Sequence, residues 1–196
     1  TSDFGVSSSS NTSLNNSFEF LTHIEHQLDI QKQSFEQIKD KIEYNKRFYL
    51  SLPSLKPMEG YYSPTGFGVR MHPVLGIYKT HVGLDIINQT GTPIYAAADG
   101  VVEFAGRNKG GYGLMVEINH GFGYKTLYAH CSSLLIKEGQ RIKRGDKIAK
   151  CGKTGLATGA HLHYEVSYNG VKQNPVDFFF DDISPTTFKN NRIAQK

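Results

Sequence analysis

A chain of 196 residues with a net charge of +4, 38% hydrophobic and 20% charged, has the composition of a globular protein, with room for one ordinary domain and some additional structure. No apolar run approaches the roughly 20 residues a membrane-spanning helix needs, and no cluster of Lys and Arg is dense enough for a nucleic-acid footprint. A membrane span within this sequence and nucleic-acid binding are both excluded from the reading. The sequence starts at Thr1 with no initiator Met and no signal-like apolar stretch, so it reads as a fragment of a longer protein from which any targeting segment has been cut away, and localisation is not read from its N-terminus.

Residues 1–17, "TSDFGVSSSSNTSLNNS", carry few large apolar groups and predict a flexible linker, because little buried surface would offset the entropy of ordering. A helix is expected from Phe18 to Leu50, within a helical segment ending at residue 57. Leu21, Leu28, Phe35, Ile42 and Tyr49 recur every seven residues, and Ile24 and Ile38 fall on the second heptad position. That stripe is the seam of a coiled coil, interrupted by Gln31 and Asn45, which weaken the seam and fix its register. It serves equally well for pairing with another helix or for lying on the chain's own domain. Pro53 and Pro57 close the segment.

Residues 58–180 change texture to short runs of Val, Ile, Tyr and Phe alternating with polar residues and punctuated by glycine, the pattern of an antiparallel β domain. "NHGFG" (119–123) and "YNG" (168–170) predict hairpin turns, where Gly supplies positive φ. "ADGVVEFAG" and "EGQRIKRGDKIAKCG" share a glycine-hinged pattern that hints weakly at a repeat. Residues 181–196 read as a loose polar tail. Cys131 and Cys151 lack C-x-x-C spacing and sit among apolar strand residues, which favours two buried free thiols over a disulfide.

Eight histidines are present. His23 and His26 read as wet helix residues, His120 as a turn residue in "NHG", and His72 as an extended residue before a proline. The other four draw together. In "KTHVGLDI", His81 and Asp85 share a face of extended chain, His130 closes the run "KTLYAH", and His161 and His163 alternate with Leu162 in "HLHYEV" and so point the same way. A catalytic zinc takes three nitrogen or oxygen ligands and keeps one position open for water. Two histidines and a carboxylate meet that need, and the spare imidazoles have proton-transfer chemistry near neutral pH. Which of the H-x-H pair would ligate is left open by the strand argument. The cupin metal motif places its glutamate farther from the second histidine than Glu165 stands from His163. A lipoyl-type carrier would need a lysine at a hairpin tip in a better-flanked setting than "GDKIAK".

"GFGVRMHPVLG", "KTHVGLD", "GTPIYAAADGVV", "YAHCS", "GQRIKRGDKIAKCGKTG" and "TGAHLHYEV", in this order from Tyr62 to Asp177, resemble the lysostaphin-like, or LytM-type, zinc metallopeptidases. The resemblance implies a mainly β fold, an antiparallel sandwich-like catalytic domain preceded here by a long coiled-coil-like helix. It implies one zinc ion held by His81, Asp85 and His163, with His130 and His161 as catalytic imidazoles that polarise water and stabilise the tetrahedral intermediate. It further implies hydrolysis of stem-peptide cross-links in bacterial peptidoglycan, by a periplasmic, inner-membrane-anchored D,D-endopeptidase that remodels the wall and sets cell shape. The helix would make a homo- or heterodimer, in the latter case with a related LytM-type protein. Cys131 stands where a leucine is usual after "YAH", a change that bears on packing. The rival expectation is a non-catalytic relative that binds peptidoglycan or activates another hydrolase. Such relatives lack one or more of the five site residues, all of which are present here.

Overall fold

The structure, a computed structural model, describes residues 8–71, 76–179 and 188. His72 and almost all of the expected polar tail lie outside these residues. The chain divides into two units, residues 1–47 and 48–196.

The first unit is helical. Helix α1 runs Ser8–Ser51, so it begins ten residues before the expected Phe18 and takes in most of what composition had assigned to a linker. Once a helix is nucleated, each further residue adds a hydrogen bond, and Ser and Asn are only mildly unfavourable within it. Composition therefore does not stop the helix where apolar residues run out. The seam residues Leu21, Leu28, Phe35 and Ile42 are 57–71% exposed. Among the described residues no helix is long and apolar enough to cross a membrane.

The second unit takes over at the end of α1, ahead of Pro53, where the proline cannot continue a helix. Its strands are β1 Gly68–Met71, β2 Tyr78–His81, β3 Leu84–Ile87, β4 Pro93–Tyr95, β5 Gly100–Asn108 and β6 Gly113–Gly121. They continue with β7 Tyr124–Cys131, β8 Ser133–Leu134, β9 Arg141–Ile142, β10 Lys147–Lys150, β11 His161–Tyr168 and β12 Val171–Gln173, followed by a 3₁₀ turn at Pro175–Phe178. The pairings between these strands are all antiparallel, as the short, glycine-punctuated runs predict. The large sheet has the order β12-β11-β7-β6-β5-β9, with β3 also paired to β11. A three-stranded sheet is ordered β4-β10-β8, and β1 and β2 form a separate ribbon.

The expected hairpins are both present. Between β6 and β7 the chain turns through Gly121, Phe122 and Gly123, and between β11 and β12 through Asn169 and Gly170, all at positive φ. Asn and Gly are the residues that enter this region at least cost. The core lies where the large and the three-stranded sheets meet: Ile94 of β4, Val102 of β5, Val116 and Ile118 of β6, Ile148 of β10 and Leu162 of β11 belong to one buried cluster. Cys131 and Cys151 are buried free thiols in the same cluster.

Candidate metal centre and active site

Strand alternation builds most of the site. On β11, Leu162, Tyr164 and Val166 enter the core, so His161, His163 and Glu165 occupy the opposite face. On β3, Leu84 and Ile86 are in the core and Asp85 faces away from it. The two strands pair with His163 directly opposite Asp85, and in an antiparallel pair such neighbours meet. His81 ends β2. Between His81 and Asp85 stands Gly83, where a Cβ would lie 2.6 Å from the Tyr164 carbonyl oxygen and 2.8 Å from His163 Cε1. The chain crosses β11 there too closely for any side chain. His130, near the end of β7, has φ 61°, a left-handed conformation that costs a non-glycine residue about 1–3 kcal/mol. Its N–H donates to the Tyr112 carbonyl at 2.9 Å.

The four histidines share one arrangement. One ring nitrogen of each faces a group that only accepts: His81 Nδ1 the Gly66 carbonyl at 2.7 Å, His130 Nδ1 the Thr154 carbonyl at 2.8 Å, His161 Nδ1 the Gly159 carbonyl at 3.0 Å, and His163 Nε2 the Glu165 carboxylate at 2.8 Å. Each of those nitrogens carries the hydrogen, and the other is left to the cleft. Fixing a tautomer through the far nitrogen is how metal-ligating imidazoles are oriented.

Three of the cleft-facing atoms converge. His81 Nε2 and His163 Nδ1 are 3.1 Å apart, and each approaches Asp85 Oδ1, at 3.3 and 3.0 Å. A tetrahedral zinc with bonds of about 2.0–2.1 Å needs ligand atoms roughly 3.3 Å from one another, so the donor set fits that ion in type and spacing. Among the described residues, His81, Asp85 and His163 form a group placed so that it could hold a metal ion. Two lone pairs and a carboxylate oxygen this close require a positive charge between them. Burial works against charge at both groups, but hydrogen bonds with His163 and His81 hold the Asp85 carboxyl well below the usual range. Those from Asp85 and Glu165 likewise raise His163 against its burial. Metal binding there would displace protons.

The remaining two imidazoles flank this centre. His161 Nε2 lies 3.8 Å from Asp85 Oδ1, and the ring of His130 is centred 4.8 Å from that of His161 and 5.9 Å from that of His163. Burial lowers the pKa of His130. All five residues line one open cleft of about 310 Å³. The structure thus brings together every residue the sequence singled out as a set.

Three further residues join the site: Arg70 and Tyr112, which the sequence reading left out, and Glu165, which it weighed only as a ligand. Arg70 Nη2 donates to Asp85 Oδ2 at 2.7 Å, leaving Oδ1 to the histidines. Tyr112 donates to Glu165 Oε1 at 2.7 Å, and Glu165, set aside above as a ligand, instead holds His163 from behind. Its position two residues after His163 on the same strand face was the available signal. Of the histidines expected to lie elsewhere, three are described, and one of them needs a correction. His23 and His26 are exposed on α1. His120 is buried rather than a simple turn residue, its ring set between the Asp99 carbonyl and the Thr126 hydroxyl, both at 2.7 Å.

Comparison with known proteins identifies the family. The model of peptidase family M23 matches residues 79–175, a span containing all five residues. DD-carboxypeptidase/endopeptidase Mpg of Neisseria meningitidis is 50% identical over 110 residues, which are 56% of this chain and 25% of that protein. This chain therefore corresponds to about a quarter of that relative. Lipoprotein NlpD of Yersinia enterocolitica is 39% identical over 94 residues, 48% of this chain and 96% of the relative's sequence. Among solved structures, a zinc-containing peptidase from Vibrio cholerae superimposes with a TM-score of 0.54 at 38% identity, over 61% of this chain and 37% of that one. The catalytic domain of lysostaphin from Staphylococcus simulans gives 0.55 at 28% identity, over 61% and 91%. With its antiparallel β domain, its clustered histidines and these matches, the chain belongs to peptidase family M23.

Proposed function

We propose that this chain is a zinc-dependent endopeptidase that hydrolyses peptide cross-links of bacterial peptidoglycan, acting as a D,D-endopeptidase in wall remodelling and cell-shape control. The observation that carries the reading is the convergence of His81 Nε2, Asp85 Oδ1 and His163 Nδ1 within 3.0–3.3 Å beside two more oriented imidazoles. In this reading those three atoms hold zinc. Bound zinc brings the pKa of water to about 7 and polarises the scissile carbonyl.

The protein's own groups supply the rest. His130 and His161 present Nε2 as acceptors, because Nδ1 of each is engaged by a carbonyl. One accepts the proton of the attacking water, and the imidazolium so formed donates to the oxyanion or the leaving amine. The substrate class follows the names of the relatives, which include a DD-carboxypeptidase/endopeptidase and a peptidoglycan DD-endopeptidase. A periplasmic location and anchoring to the inner membrane are part of the same proposal, supported by a peptidoglycan substrate. The exposed heptad stripe of α1 serves as a coiled-coil seam for a second copy or a related LytM-type chain.

The test is metal content by elemental analysis of wild type beside His81→Ala and His163→Ala, followed by hydrolysis of purified cross-linked muropeptides. About one zinc per wild-type chain, lost in both variants, with cleavage that chelator abolishes, is the expected result. A wild type that takes up no zinc from excess would overturn the reading in favour of a non-catalytic wall-binding or hydrolase-activating protein.

A further inference from the structure

We infer that Lys79 and Arg70 form a subsite that receives a carboxylate of the substrate peptide next to the scissile bond. The inference rests on the peptidase reading above and deepens it.

The β1–β2 ribbon pairs Arg70 directly opposite Lys79, which puts both side chains on one face. Like charges in that position destabilise a strand pair. Arg70 has a partner in Asp85 Oδ2 at 2.7 Å. Lys79 has no ion pair among the described residues and is exposed. Lys79 also precedes His81 by two residues on β2, so it shares the strand face of the proposed zinc ligand, and both cations line the same cleft.

The cleft is electrostatically lopsided. The cleft is also lined by Gly110, Gly111, Tyr112, Leu156 and Thr158, none of which carries a charge. The acid facing the cleft, Asp85, is already engaged by Arg70 and the histidines. An anion on the substrate is therefore drawn to the β2 side, and a peptide carrying one is oriented in the cleft before reaction. Arg70 uses one Nη2 donor on Asp85 and offers the rest of its fork, while Lys79 offers a mobile point charge. That combination suits a carboxylate. Two carboxylates of a stem peptide stand near a D,D cross-link: the one on the diamino acid and the one at the C-terminus of the adjoining D-alanine.

The experiment measures calorimetric binding of three reduced-amide peptides, which cannot be hydrolysed, to zinc-loaded wild type and Lys79→Gln. One peptide has all carboxylates free, one is amidated at its C-terminus and one at its diamino acid. Wild type should bind the free form about tenfold or more tightly than one of the amidated forms, and which one identifies the carboxylate. Lys79→Gln should lose most of that difference, and added salt should reduce it in wild type. Thermal midpoint and zinc content of the variant establish that it is folded and loaded. Equal binding of all three peptides by wild type, or a preference that survives in Lys79→Gln, would overturn the subsite. Hydrolysis of the corresponding amide peptide is assayed separately. If wild type shows the carboxylate preference but cleaves nothing, the peptidase reading fails while the subsite stands.

Discussion

His163 and Glu165, two residues apart on one face of β11, are joined by a 2.8 Å hydrogen bond from the imidazole Nε2 to the carboxylate. Glu165 is 1% exposed, and it is also held by the Tyr112 hydroxyl at 2.7 Å and by Lys172 Nζ at 2.5 Å. Burial pushes its carboxyl up, but these three donors outweigh it and bring the pKa down to about 2. A fixed anion behind the ring keeps Nδ1 turned to the cleft and towards Asp85. Glu165→Gln preserves shape but removes the charge and allows a flipped amide, so zinc affinity should fall about 10–100-fold. Tyr112→Phe, which leaves the anion in place, should cost less. Competition with a chromophoric chelator reads both, and an unchanged affinity in Glu165→Gln would show that the carboxylate has no part in orienting His163.

Gly83 gives a second test of how the centre is assembled. A methyl group there would press on the Tyr164 carbonyl at 2.6 Å and on His163 Cε1 at 2.8 Å. Neither is the far end of a flexible chain, so β3 and β11 must separate. Gly83→Ala should destabilise the domain by about 1–3 kcal/mol and weaken zinc binding, because Asp85 and His163 lie in the register that would be displaced. Denaturant unfolding with parallel zinc titration measures the two effects. A variant with wild-type stability and affinity would mean that the strands tolerate the separation.

These two relationships mark where sequence reasoning stopped. The alternation in "HLHYEV" was enough to put His161 and His163 on one face, because a strand repeats every two residues. Opposition of His163 to Asp85 is a pairing between residues 78 apart, and such a register follows from which faces the two sheets bury together, not from either local stretch. The anchors of His81, His130 and His161 are backbone carbonyls, which any residue type provides, so no side-chain identity announces them. The early start of α1 at Ser8 escaped for a different reason: composition reports surface available for burial, whereas helix continuation depends on the turn already formed.

The two cysteines predict a chemical behaviour. Both are fully buried, and burial first, with the neighbouring thiol adding to it, pushes the Cys131 thiol up to about 12. Burial likewise raises Cys151. Thiolate is the reactive form, so native protein should resist an alkylating or disulfide-exchange reagent at pH 8, and two thiols per chain should react once it is unfolded. Rapid labelling of either residue in the native state would place it at the surface and contradict the packing described here.

His120 carries the fourth prediction, away from the cleft. Its ring is buried between the Asp99 carbonyl and the Thr126 hydroxyl, which in turn lies 3.0 Å from the Tyr128 hydroxyl. Burial lowers its pKa from 6.5 to about 4, with the Asp99 carbonyl offsetting only part of that and the positive charge of Arg144 adding to it. The unfolded chain binds this proton below about pH 6.5, whereas the folded chain does not until about pH 4. Above pH 6.5 the group leaves stability independent of pH. As pH falls from 6.5 towards 4, the unfolded state gains a proton the native state refuses, and stability declines by about 3 kcal/mol in all. Below pH 4 both states are protonated and the contribution is flat. His120→Gln retains hydrogen-bonding groups without the titration. The variant should be less stable than wild type at pH 7.5, and the gap should narrow or reverse by pH 4.5, in urea unfolding of the zinc-free proteins. A gap constant across that range would mean that His120 accepts its proton in the folded state as readily as in the unfolded one.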